Sequence, residues 1–233
     1  MTLLAAFKVL LRSYKAGDDI VVGTDVAGRS REQTEGLIGF FVNQLVLRTE
    51  LSGNPTFRET LARVRETALS AYAHQEVPFD KVVETLNPER DLSRNPLFQV
   101  MFGMNNAPRP ALDLGGLKLS NVALDNETAV FDLSLYVTDM RDGLVGLLRY
   151  NADLFESGTA NRLLRRYEIL LGLAAERPDA TLDALEEGLH EGERRQWSAR
   201  EKELEGTRAQ LFKSARRRVV GDAEHGAEGR SAS

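Results

Sequence analysis

The segment from Gly36 to Arg48 constrains the fold most strongly, because glycine punctuation leads directly into a nearly continuous apolar run. Such runs are typical of strands that are buried on both faces, so we expect a central strand here. Strand alternation places Asn43 on the same face as Leu45 and Leu47. A buried amide must find hydrogen-bond partners. Asn43 is therefore expected either to hold two loops together or to line a substrate channel.

Apolar periodicity elsewhere predicts an α/β (α+β) chain in which a mixed central sheet packs against helices. Helices are predicted at 1–14, 57–74, 78–86 and 154–175, and Thr56 with Glu59 forms a capping box before the second of them. Strands are predicted at 20–24, 36–48, 97–104 and 117–122, with a loop at 25–29. Residues 131–137 and 144–150 alternate cleanly and predict a β-hairpin.

Composition excludes several classes of function. The 233 residues include no cysteine, so disulfides, thiolate metal sites and cysteine nucleophiles are ruled out. The net charge of -5 argues against non-specific nucleic-acid binding. No apolar run reaches the roughly 18 residues of a membrane helix. We expect a cytoplasmic protein with no nucleic-acid or membrane partner. Residues 1–188 are predicted to form the domain, and 189–233 a polar helical linker with a disordered tail.

Few residues are candidates for catalysis. The three histidines are His74, His190 and His225, and the last two lie in the polar linker and tail. His74 lies where one predicted helix ends, which is typical of a cap favoured by the helix dipole. The alternative is a contact with substrate or a partner. No spacing of histidines or carboxylates indicates a metal site, and no phosphate-binding or nucleotide-binding motif is present.

Three segments taken together resemble a known family. Gly36–Arg48, His74–Asp80 and Arg90–Leu97 are similar, in order and spacing, to the motifs IGxFVNTxxxR, HQxxPFE and RDxSRNPL. These belong to the condensation domains of non-ribosomal peptide synthetases. Residues 22–29 are also similar, and the resemblance extends over about 2–185. The departures within the motifs are Gln44, where threonine is usual, and Asp80, where glutamate is usual.

The resemblance implies one lobe of a larger fold. The family's active-site motif, HHxxxDG, does not occur in these 233 residues, so the expected structure is the C-terminal lobe of a two-lobed fold similar to chloramphenicol acetyltransferase. A complete domain of this family joins two carrier-protein-bound thioesters through a peptide bond, in a tunnel between the lobes. This chain would contain no catalytic residue and would be inactive alone. Its partners would be an N-terminal lobe, carrier proteins and an adenylation domain.

The resemblance also implies roles for individual residues. Tunnel or motif positions would be Asn43, Gln44, His74, Pro78 and Phe79. Support of the active site would fall to Arg29, Arg48, Arg90, Asp91 and Arg94. Arg29 is expected to pair with the aspartate of the absent motif, with Arg48 and Arg94 as rivals and a solvent-facing loop arginine as the plain alternative. No metal and no directly bound cofactor is expected, only the phosphopantetheine arm of a carrier protein.

Two alternatives remain open on the sequence. The chain could be a non-catalytic carrier-binding module or a degenerate remnant, with Arg58, Arg63 and Arg65 on the docking face. It could also be a complete acyltransferase that uses His74 as its base, which is the weaker alternative. The strand regions 38–47 and 97–104 and the crossing 105–130 would leave apolar surface uncovered without a partner lobe. The isolated chain is therefore expected to self-associate, to aggregate, or to be stable only with a complementing N-terminal lobe.

Overall fold

A computed structural model describes residues 1–29, 32–89, 91, 94–105, 128–140 and 142–198. The chain divides into two compact units, Met1–Glu186 and Glu187–Ser233. In the second unit, residues 187–198 are helical. The predicted boundary at residue 188 remains a prediction. The predicted strand at 117–122, Arg90, and the predicted tail beyond 198 lie outside the described residues.

The first unit is a five-stranded mixed sheet with helices packed against it, as predicted. The strands are β1 (Asp19–Val26), β2 (Asn43–Glu50), β3 (Val100–Asn105), β4 (Leu133–Met140) and β5 (Gly143–Tyr150). Their order in the described sheet is β2-β1-β3-β4-β5. β3 runs parallel to β1 and β4, while β2 and β5 pair antiparallel at the two edges.

The helices are α1 (Thr2–Ser13), α2 (Glu32–Glu35), α3 (Phe57–Ala73), α4 (Phe79–Leu86) and α5 (Ser157–Glu176). The capping box predicted for α3 is present, with the Thr56 hydroxyl accepting from the Glu59 amide and the Glu59 carboxylate accepting from the Thr56 amide. α4 ends at Asn87, which adopts the left-handed conformation (φ 42°) that asparagine tolerates at a helix end.

Helices α1 and α5 pack together on one face of the sheet. The Phe7 ring of α1 lies 5.9 Å from the Phe102 ring of β3 and 6.1 Å from the Tyr167 ring of α5. Strand alternation then directs Met101 and Gly103 toward the opposite face. The apolar residues of the helix-covered face, including Phe7, Val22, Leu47 and Leu135, are almost completely buried. This burial is the main force that holds the unit together.

The prediction of a central strand over 36–48 is wrong in two respects. β2 begins only at Asn43, because its partner β1 ends at Val26, the residue opposite Asn43. Residues before Asn43 therefore have no partner among the described strands, and Ile38 and Phe40 are fully exposed or nearly so. Among the described strands β2 also lies at an edge, whereas the other apolar run supplies β3, which is central as predicted.

Smaller boundaries also differ from the predictions. β1 extends through Asp25 and Val26, which were predicted to lie in a loop, because both pair with the start of β2. β3 begins at Val100 rather than 97, and α5 begins at Ser157 rather than 154. The predicted hairpin forms, with both strands reaching closer to the turn.

Candidate functional site

Asn43 joins two segments that are distant in the sequence. Its side-chain amide donates to the carbonyl oxygens of Gln75 at 2.9 Å and Val77 at 2.8 Å. Its side-chain oxygen accepts from the Phe79 backbone N–H at 3.1 Å. The first residue of β2 thus holds the turn between α3 and α4 and supplies the first turn of α4 with a partner. The interpretation of Asn43 as an amide that holds two loops together is the one that the geometry supports.

Arg29 organises the loop that leads into β2. Its guanidinium donates to the backbone carbonyls of Thr34 and, at 3.3 Å, Gly39. The same group lies 4.4 Å from the centre of the Phe41 ring, which is cation–π distance. Gly28 permits this arrangement, because its φ is +62° and a Cβ there would lie 1.8 Å from the Phe41 carbonyl oxygen. In this structure Arg29 thus binds its own loop.

These contacts lie beside a cavity of about 410 Å³, where β1 ends and β2 begins. Gly28, Phe41 and Asn43 line it together with Gln75 and Pro78. Both motif segments, the one ending in β2 and the one leading into α4, therefore meet in one wall. Two predicted tunnel residues, Asn43 and Pro78, line the cavity directly, and Pro78 is also the N-cap residue of α4.

His74 and Phe79 have structural contacts beside this cavity. His74 is the C-cap of α3, and its Nδ1 donates to the Ser70 carbonyl at 2.9 Å, which matches the predicted capping role. The Phe79 ring lies 5.7 Å from the Phe98 ring, which lies 5.4 Å from the Phe131 ring. A Cβ on Gly23 would meet the Phe98 ring at 2.2 Å, so this aromatic cluster rests directly on β1.

The remaining predicted residues lie away from this cavity. Gln44 donates to Asp25 at 3.3 Å across the β1–β2 pair. Arg48 is exposed and pairs with Asp19 at 2.8 Å. Asp91 and Arg94 border a second cavity of about 400 Å³ at the C-terminal end of α4. The predicted support residues are therefore dispersed, and the described residues do not bring Arg48 or Arg94 to the wall built by Asn43.

The proposed docking arginines on α3 differ in their availability. Arg58 pairs with Asp179 at 2.7 Å, and Arg63 donates to the carbonyls of Glu50 and Ser52. Arg65 is exposed. Two of these three guanidinium groups thus help to fix α3 on the rest of the unit.

Lys8 is the buried polar residue that the sequence analysis missed. It is fully buried in α1, and its Nζ lies 3.1 Å from the Ile20 carbonyl, 2.5 Å from the Leu47 carbonyl and 2.9 Å from the Thr49 hydroxyl. Burial lowers the pKa of Lys8 from 10.5 to about 7, although the charge of Asp19 opposes this shift. A lysine within an otherwise apolar helix stripe was the available signal. Its contacts bind α1 to β1 and β2 rather than forming a reactive site.

The described ranges contain neither a candidate membrane-spanning helix nor a candidate metal-binding group. No helix there has both the length and the apolar character required to cross a membrane. Likewise, no three His, Asp or Glu side chains within those ranges are grouped as ligands for a metal ion.

The family model and the known sequences that are similar to this chain agree with each other. The condensation domain family matches residues 1–196. One of the linear gramicidin synthase proteins of Brevibacillus parabrevis is 51% identical over 187 residues, which covers 79% of this chain and 4% of that protein. Tyrocidine synthase 3 of the same organism is 41% identical over 182 residues, covering 78% of this chain and 3% of that protein. This chain thus spans a small fraction of either synthase.

Comparison with solved structures gives the same fold. The X-domain from teicoplanin biosynthesis matches with a TM-score of 0.72 and 35% identity, over 78% of this chain and 42% of that one. A complex of the X-domain with OxyB matches at 36% identity with a TM-score of 0.68, over 79% of this chain and 41% of that one. A four-domain nonribosomal peptide synthetase bound to AMP and glycine matches with a TM-score of 0.73 and 26% identity, over 78% of this chain and 15% of that one.

Proposed function

Because the chain belongs to the condensation domain family, as its three motifs predicted, we propose that it supplies the C-terminal lobe of a peptide-bond-forming domain. In this proposal the domain joins two aminoacyl or peptidyl thioesters, each carried on the phosphopantetheine arm of a carrier protein. The family match over residues 1–196 and the mixed sheet with packed helices support the lobe assignment. The coverage of 42% of the X-domain chain agrees with one lobe of a two-lobed fold.

The observation that carries the proposal is the Asn43 bridge. It draws the segment entering β2 and the turn before α4 into one wall of an open cavity. Beside that wall, Ile38 and Phe40 project their apolar side chains into solvent. An ordered wall next to uncovered apolar side chains is what the inner surface of a two-lobed tunnel requires, because the opposite lobe would cover those side chains.

The described side chains of the wall supply structure rather than proton transfer. Asn43, Arg29 and His74 each bind backbone atoms of neighbouring segments. In the proposal, proton transfer at the acceptor amine falls to the lobe that carries HHxxxDG. This chain contributes the tunnel wall, part of the carrier-protein docking surface and a junction with an adenylation domain. By itself it is inactive.

The test is a condensation assay with defined parts. The purified chain is mixed with a donor and an acceptor carrier protein, each loaded with an aminoacyl thioester, with or without a separately produced HHxxxDG-bearing lobe. Mass spectrometry of the acceptor carrier detects the new amide bond. We expect product only when both lobes are present, and none when the histidines of the added lobe are replaced by alanine. Product formed by this chain alone would contradict the proposal.

A second candidate function is a non-catalytic module that recruits partners. Its support is the similarity to the X-domain, which in one of the matched structures is in complex with OxyB. Titration of the chain with a loaded carrier protein, monitored by fluorescence anisotropy at low and high ionic strength, tests this candidate. Salt-sensitive binding without amide formation in the two-lobe assay would favour it over the first proposal. Absence of binding at low ionic strength would exclude carrier docking by this chain.

A further inference from the structure

A row of polar side chains crosses the sheet on the face opposite α1. Asp25 of β1 pairs in register with Gln44 of β2, and Gln44 Nε2 donates to Asp25 Oδ1 at 3.3 Å. On the other side of β1, Gly23 is in register with Met101 of β3. Two residues further along these parallel strands, Asp25 and Gly103 therefore lie at the same level of the sheet.

Gly103 gives the row its shape. It is in register with Tyr136 of β4, and a Cβ at Gly103 would lie 2.6 Å from the Tyr136 ring. The absence of a side chain at Gly103 thus lets the Tyr136 ring lie over the backbone of β3, toward Asp25. Burial and the charge of Asp25 raise the pKa of Tyr136, whose side chain is hydrogen-bonded to Ser134. We call Gln44, Asp25, Gly103 and Tyr136 the polar row.

The polar row lies where α/β sheets commonly bind ligands. β1, β3 and β4 run parallel, and Asp25 is one residue from the carboxyl end of β1. The next pair of residues toward that end, Val26 and Asn43, leads directly to the cavity wall. The row is accessible, because Asp25 is exposed and Leu147, the residue in register with Tyr136, is 52% exposed.

The electrostatics of the row favour a cation. Partial burial raises the pKa of Asp25, and the hydrogen bond from Gln44 only partly offsets this. Burial and the charge of Asp25 also raise the pKa of Tyr136, while Arg149 of β5, 6.0 Å from the Tyr136 ring, acts in the opposite direction. A carboxylate that surrounding protein partly shields from water gains more from an added positive charge than a fully hydrated one.

We propose that the polar row binds the primary ammonium group of an aminoacyl thioester, with Asp25 accepting from the ammonium and Gln44 holding Asp25 through its hydrogen bond. This inference rests on the proposed function, because it names the substrate group that this lobe would recognise. A primary ammonium is small, carries three donors and one charge, and fits a site made of a carboxylate, an amide oxygen and a phenol oxygen. An N-acylated amine has no charge and keeps only one of the three donors.

The test measures the Asp25 carboxyl directly by NMR of the full chain labelled with ¹³C at the aspartate carboxyl carbons. The probes are glycyl-aminopantetheine, in which a stable amide replaces the thioester, and its N-acetyl derivative. The Asp25 signal is assigned by its loss in Asp25→Asn. Asp19→Asn is the matched control, because Asp19 lies on the same strand and face but is paired with Arg48.

The free-amine probe should lower the pKa of Asp25 and shift its signal, whereas the N-acetyl probe should do neither. Asp25→Asn should weaken binding of the free-amine probe by about tenfold or more, and Asp19→Asn should leave it unchanged. Gln44→Leu should raise the pKa of Asp25, because the hydrogen bond that lowers it is removed.

Equal responses to the two probes, or no response of Asp25 to either, would overturn the inference. Carrier-protein binding, measured on the same samples, keeps this result separate from the proposed function. A chain that binds the loaded carrier but shows no amine-specific response at Asp25 would retain the proposed function and lose the amine site.

Discussion

Replacement of Asn43 by alanine gives the sharpest test of how the wall is built. The substitution removes two donated hydrogen bonds and one accepted hydrogen bond, with distances between 2.8 and 3.1 Å. A hydrogen bond contributes a net stabilisation of about 1 kcal/mol. Val77 is 45% exposed, so water recovers part of the loss at its carbonyl. We therefore expect Asn43→Ala to lower the free energy of unfolding by about 2 kcal/mol, or the melting temperature by roughly 4–8 °C.

Asn43→Asp distinguishes the contribution of the two donated hydrogen bonds from that of the accepted one. It keeps an oxygen for the Phe79 N–H, but it removes both donors and places a negative charge near the carbonyl oxygens of Gln75 and Val77. At pH 7 this variant should be no more stable than Asn43→Ala. Thermal melts give the overall loss, and hydrogen exchange at the Phe79 amide should accelerate in Asn43→Ala and less in Asn43→Asp, which keeps the accepting oxygen. The Arg177 amide, bonded to Leu173 at the end of α5, should exchange as before.

An Asn43→Ala variant whose free energy of unfolding lies within about 0.5 kcal/mol of that of the unmodified chain, a range usual for surface changes, would contradict this expectation. An Asn43→Asp variant as stable as the unmodified chain would contradict it too, since the two donors would then contribute nothing. Faster exchange at Phe79 without any change in melting would mean that the bridge orders the turn but does not stabilise the unit.

Four further predictions follow from the structure. Between about pH 7 and 10.5 the unfolded chain holds the Lys8 proton more tightly than the folded chain, so stability should rise with pH there; Lys8→Met should flatten this rise in urea unfolding curves. Gly23→Ala should cost about 1–3 kcal/mol in thermal melts because its Cβ meets the Phe98 ring, whereas Gly172→Ala, in open space on α5, should stabilise slightly. Arg29→Ala should increase proteolysis within residues 34–41 and, in a two-lobe assay, reduce turnover; unchanged melting and turnover would remove Arg29 from the site. Ile38→Ser combined with Phe40→Ser should reduce self-association in light scattering at micromolar concentration.

The elements with local signals were predictable from the sequence. The capping box at Thr56 and Glu59 fixes the start of α3, because both of its hydrogen bonds lie within one turn. The hairpin of β4 and β5 follows from alternation on each side of a short turn. The proline at 78 and the asparagine at 87 mark the two ends of α4 for equally local reasons.

The features that depend on tertiary pairing were not predictable. Glycines and apolar residues before Asn43 read as strand, yet only the end of β1 at Val26 determines where β2 can begin. In the sequence Lys8 is a single polar residue within a predicted helix. The three oxygen atoms that it contacts come from β1 and β2, which the sequence pattern of the helix does not reveal. Asp25 was predicted to lie in a loop, because its pairing with Gln44 of β2 depends on the register of the sheet rather than on a local sequence pattern.

The chemistry of the described wall argues for a divided active site. Arg29, Asn43 and His74 are the motif side chains best suited to contact a reacting group, yet each binds backbone carbonyls or amides of this chain. A base for the acceptor amine must lie within hydrogen-bond reach of that amine and must have a nitrogen or oxygen free to take its proton. His74 is directed to the Ser70 carbonyl one turn earlier in α3, which makes it a poor candidate. Under the proposed function the wall would position the substrate, and proton transfer would require a group from outside it. That requirement agrees with the second lobe that the family resemblance implies.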